Sequence, residues 1–129
     1  MQNEITVPNR ITHGFIVARP QWNFVYGQDK MQRGIMGQAW TAGKEPNTFP
    51  VFTCHKLCTS GSVYFTDAEH WRVDMLASIA AIPRDKPIIC FHKIGQGCSR
   101  MKEFAPKLHA EMVKLLNEIQ YKNIKWINA

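Results

Sequence analysis

Residues 87–104 read PIICFHKIGQGCSRMKEF, and this stretch restricts the architecture more than any other. Pro87 to Ile94 is apolar enough to be a central strand. It runs into a Gly-x-Gly turn and then, with no linker, into helical spacing. Met101, Phe104, Ala105, Leu108, Met112, Leu115, Leu116 and Ile119 recur on one face of a 3.6-residue helix. A strand that turns on two glycines into an amphipathic helix is the building unit of a layered α/β fold. Pro106, close to the start of this helix, is expected to reshape its first turn.

The remaining segments extend that pattern. Phe15 to Ala18 (FIVA) and Trp22 to Tyr26 (WNFVY) are β-prone, the first ending at Arg19-Pro20. Gly27 to Ala42 reads as a glycine-studded loop followed by a short helix over 36–41. KEPNTFP has loop chemistry, and Val51 to Thr53 and Val63 to Phe65 are short strands. Thr66 and Glu69 match a capping box, in which hydroxyl and carboxylate each satisfy an orphan N–H. The helix beyond it places Trp71, Met75, Leu76, Ile79 and Ile82 on one face and stops at Pro83. Lys122 to Ile127 closes the chain as a strand, with Ile124 and Trp126 on one side. At 129 residues this is one α/β domain. Its short strand pairs at 15–26 and 51–65 imply a mixed sheet.

No apolar run approaches the ~20 residues of a membrane span, and the N-terminal residues MQNEITVPNR lack an apolar signal core. The expected location is the cytoplasm, with no membrane partner. Cysteines stand at 54, 58, 90 and 98. Cys54 and Cys58 frame His55 at a spacing zinc sites use, but no second paired motif completes a ligand set, so free thiols are expected. Nothing in the pattern calls for a cofactor. The net charge is +6, and from Lys93 onward seven basic residues face three acidic ones. That balance suits an anionic partner, a phosphorylated small molecule first and nucleic acid second.

Two segments carry candidate chemistry. The turn at Gly95, Gly97, Cys98, Ser99 and Arg100 leads from a strand into a helix. There, main-chain N–H groups and the helix dipole favour an anion. The segment YGQDKMQRGIMGQA supplies Gly27, Gln28, Asp29, Arg33, Gly34, Gly37 and Gln38. Its glycines fit neither a dinucleotide fingerprint nor a Walker loop. Paired, the two segments form opposing walls of one cleft: their amides meet one anionic guest, Asp29 takes a ribose hydroxyl or base amine, and Gln28 and Gln38 orient it. His55 is the best acid–base candidate among the histidines, because imidazole titrates near neutrality. His92 reads as a satisfied strand residue and His109 as exposed. For hydrolysis the bases on offer are Asp29 and His55.

The order FVYG-x-D, R-G-x-x-GQA, EPN, YFTD and KIG-x-G-x-S resembles a group of small phage and bacterial proteins that are in turn similar to macro domains, which bind ADP-ribose and related nucleotides. The likeness runs from about Asn23 to His109. It implies a three-layer macro-domain-like sandwich, a mixed sheet with helices on both faces. Gly27, Gly34, Gly37 and Gln38 match the first loop of that group, and Gly95, Gly97 and Ser99 match its phosphate-side loop. Asp29 stands where the group has Asn. Met36 replaces a loop glycine, and FPVFTCHK replaces a strand end of G-I-P-T-K type.

The resulting expectation is a protein that binds, with or without turnover, ADP-ribose, an NAD-derived molecule or a related nucleotide. By analogy it would be phage-encoded and act on a host nucleotide signal. The alternatives are a nucleic-acid-binding protein using Trp40, Tyr121 and Trp126 for stacking, and a host-protein-interaction protein with a vestigial pocket.

Overall fold

The computed structural model describes residues 3–29, 37–56, 63–64, 69–96 and 101–128, with backbone alone at 54–56, 63–64, 69–71 and 104. The described chain is mixed α/β. In order it runs through strand β1 (Ile5–Pro8), helix α1 (His13–Val17), β2 (Asn23–Asp29), α2 (Gly37–Ala42), β3 (Thr48–Lys56) and β4 (Val63–Tyr64). There follow α3 (Glu69–Ala80), β5 (Ile88–Cys90), α4 (Met101–Phe104), α5 (Pro106–Ile119) and β6 (Ile124–Ile127).

β2 is the spine of a four-stranded sheet in the order β4-β3-β2-β5. It pairs in parallel with β3 on one side and with β5 on the other, while β4 runs antiparallel along the outer edge of β3. β1 and β6 form a separate parallel pair. The chain entering β6 follows the open edge of β5: the Tyr121 N–H donates to the Ile88 carbonyl at 2.9 Å. One residue earlier, Gln120 Oε1 accepts from the Cys90 N–H at 2.7 Å. These bonds set the small sheet beside the large one.

Successive strand side chains point to opposite faces, and β2 divides its residues accordingly. Val25 joins Val51, Met75, Ile79, Ile88, Met112 and Leu116 in one buried cluster. Phe24 joins Val7, Ile16 and Ile89 in a second, and Tyr26 meets Ala39 and Ala42 in a third. β2 is therefore almost entirely buried, which explains its unbroken apolar reading. Arg72 on α3 and Glu111 on α5 join the two long helices through a forked pair, at 2.7 and 2.8 Å.

Several expectations change: Gly27 to Asp29, read as loop, extend β2, and Thr48 and Phe49, also read as loop, begin β3. FIVA is the body of helix α1, because the Thr12 hydroxyl accepts from the Phe15 N–H at 3.2 Å and caps the turn. The β-branched residues that suggested a strand are outweighed by that cap and by the burial of Ile16. Pro50, assigned to a loop, lies inside β3 opposite Tyr26. It is tolerated because, among the described residues, β4 pairs with β3 only at Cys54 and Lys56 and no strand pairs with Pro50 on that side. The strand over 87–94 ends at Cys90, and turns occupy the residues beyond. Pro106 starts a new helix: Ala105, at φ −139° and ψ 64°, separates α4 from α5, and Pro106 takes the first position, where no N–H is needed. The capping box at Thr66 lies outside the described residues.

Candidate functional site

The chain leaves β2 toward β3 on one side of the sheet, yet β5 sits on the other side. In open α/β sheets such a reversal opens a crevice at the carboxyl ends of the two strands, where ligands bind. Here Gly27, Gln28 and Asp29 end β2, and residues 91–96 follow β5. Both candidate segments therefore reach the same end of the sheet.

Gln38 links them. From the first turn of α2, its Oε1 accepts from the Gly27 N–H at 2.9 Å and its Nε2 donates to the His92 carbonyl at 2.7 Å. The absence of a side chain at Gly27 permits this approach. A Cβ there would lie 3.3 Å from Ile94 Cγ2, 3.4 Å from Thr53 Cγ2 and 3.5 Å from Gln38 Oε1. Contacts of 3.3–3.4 Å are tight, so β2, β3, α2 and the turn after β5 meet around one glycine.

Asp29 and Gln28 are 6% and 5% exposed, so a carboxylate and an amide are held inside the protein at the end of the central strand. Burying such groups is costly unless the surroundings answer them. Beside them the β2–β3 register slips between Gln28 and Asp29, which leaves Thr53 as the extra residue of a bulge. The Thr53 hydroxyl donates to the Gln28 carbonyl at 3.4 Å. Bulges of this kind often lie next to active sites, where they re-aim side chains. Burial pushes the Tyr26 phenol above its ordinary pKa, and a hydrogen bond with Gln28 partly offsets the rise.

The second glycine segment is partly different from its sequence reading. Gly95 is buried at φ +84°, and a Cβ on it would sit 2.9 Å from His109 Cδ2 and 3.2 Å from Met101 Sδ. Its glycine is required by a left-handed turn packed against α5. The Gln96 N–H donates to the Lys93 carbonyl. With Gly27, this makes two of the expected anion-binding amides that already have protein acceptors. Gly37 opens α2 at φ +64°.

The histidines exchange environments. His109, expected at the surface, is buried, with Nε2 3.2 Å from the Ile94 carbonyl. Desolvation lowers its pKa, aided by Lys102 and opposed by the bond to Ile94. His92, expected in the strand, is exposed beyond its end and packs on Trp126 with ring centroids 4.2 Å apart. Cys90 is partly buried, and desolvation pushes its thiol up to about 12, so it is not a nucleophile at neutral pH.

His55 lies on β3 at a second register shift, between the residues paired with β4, and its side chain is outside the described residues. So are Arg33, Gly34, Met36, Gly97, Cys98, Ser99 and Arg100. Among the described residues, no three His, Cys, Asp or Glu side chains gather as a metal site, and no helix is long and apolar enough to cross a membrane. Sequence reasoning missed Thr53 and the His109–Gly95 contact. The first left no signal because a bulge is a pairing event. The second was legible only in the four-residue step from Ala105 to His109 along the helix face.

Residues 6–115 match the model of a family of unknown function, DUF7831. No curated protein and no solved structure matches the chain.

Proposed function

We propose that this chain, which belongs to the DUF7831 family of unknown function, binds a nucleotide-like anion in the crevice between β2 and β5. ADP-ribose, an NAD-derived molecule or a related ribonucleotide is the expected class. This reading takes the sheet, with helices against both sides of β2, as a macro-domain-like three-layer sandwich. The observation that carries it is the double hydrogen bond of Gln38, which ties the two glycine segments together at the point where strand order reverses. The buried Asp29 is the natural acceptor for a ribose hydroxyl or base amine, and the positive balance of the chain favours a phosphate.

The test is thermal unfolding with ADP-ribose, NAD, AMP and a cyclic nucleotide, for the native chain and for Asp29→Ala. A ligand at a hundred times its Kd stabilises by about 2.7 kcal/mol and should raise the melting temperature by roughly 10 °C. Asp29→Ala should shrink that rise. A rise retained at 0.5 M salt marks a pocket ligand, since nucleic acid would be lost steeply on such an increase. A melting temperature indifferent to every nucleotide refutes the assignment.

A further inference from the structure

A second recess lies between the residues preceding α1 and the far end of α2. It measures about 450 Å³ and is lined by Arg10, Ile11, Thr12, His13, Trp40 and Gly43, among others. Trp40 is the most exposed large apolar side chain among the described residues, at 71%. It lies on the same helix as Gln38 but lines this separate recess.

The floor of the recess is held in place. His13 Nδ1 is 3.0 Å from the Thr41 carbonyl, and Nε2 is 3.2 Å from Glu45 Oε1. Gly43 and Lys44 both take left-handed backbone, φ +66° and +57°, which turns the chain so that Glu45 comes back to the imidazole. A Cβ at Gly43 would fall 2.4 Å from His13 Cε1. Only glycine lets the ring lie there. The recess therefore exists before any guest arrives, which reduces the ordering cost of binding.

Its charge is one-sided. No carboxylate is among its lining residues; Glu45 lies 3.2 Å from Nε2 of His13 instead. Arg10 is exposed and has no ion-pair partner among the described residues. An exposed indole and an exposed arginine lining one recess are complementary to a flat ring that carries a negative charge: the ring covers the indole, and the anion takes the planar fork of the arginine.

We infer that this recess is a binding site for a small planar aromatic anion, distinct from the crevice between β2 and β5. Its probe is indole-3-acetate, with indole and acetate as the ring-only and charge-only controls. Calorimetry of the full chain should show saturable binding of indole-3-acetate. Indole and acetate should each bind at least about tenfold more weakly, a difference of about 1.4 kcal/mol. Arg10→Gln should cost the indole-3-acetate complex about tenfold and leave indole unaffected. Trp40→Ala, at an exposed position, should remove binding while leaving the melting temperature in place. Asp29→Ala should have no effect, which separates this site from the nucleotide crevice. Equal affinity for indole and indole-3-acetate, no saturation, or full binding by Trp40→Ala would each overturn the inference.

Discussion

At the scale of single residues, glycines decide where the chain can close on itself. Gly95 combines positive φ with a side chain pressed against the position its Cβ would occupy. Gly95→Ala should therefore destabilise the protein by about 1–3 kcal/mol, measured by urea unfolding, because strain and steric overlap add. Its partner His109 carries a pH signature. The folded-state pKa lies below the unfolded one, so the unfolded chain takes up the proton first. The stability this neutral imidazole contributes is complete above about pH 6.5 and is lost as pH falls through the lower folded value. His109→Gln should flatten that part of the stability profile. None of this was readable from Gly95 alone. The sequence reading assigned both Gly95 and Gly97 to a ligand, and the real contact of Gly95 is a histidine fourteen residues on.

At the scale of elements, caps and breaks determined where prediction succeeded. The long amphipathic stripe and the apolar runs of β2 and β5 were legible because burial imposes a period on many residues at once. Helix α1 was misread because one hydroxyl, Thr12, outweighs the β-propensity of Ile16 and Val17. Thr12→Ala should cost about 1 kcal/mol. The Arg72–Glu111 fork is the corresponding tie between helices. Arg72 holds the Glu111 carboxyl below its usual range, so its stabilisation is present above about pH 4.3 and fades as acid protonates the folded carboxylate. Both side chains are about a third exposed, and solvent screening limits the pair to roughly 1 kcal/mol. A double-mutant cycle with Arg72→Ala and Glu111→Ala should give a coupling near that size at pH 7 and almost none at pH 3.

At the scale of the molecule, the sheet order is what a linear reading could not reach. It arises from pairings between distant segments, and strands as short as β4 and β5 carry no register signal of their own. Yet the order supplies the strongest argument about the site, because it brings the ends of β2 and β5 together. Shared burial on both faces should also make β2 the last element to open. Amides of Phe24 to Tyr26 should exchange with deuterium only through global unfolding, whereas those of β1 and β6, in a pair joined to the main sheet through few bonds, should exchange through smaller openings.

The paired hydrogen bonds of Gln38 bear on rates as well as affinities. A guest that claims the Gly27 amide must first displace the Gln38 carboxamide, so entry and side-chain rotation become a single gated event. Association should then run below the speed of diffusive encounter. Shortening the latch with Gln38→Ala should quicken arrival and departure together, a change that stopped-flow traces would reveal even where the equilibrium constant barely moves.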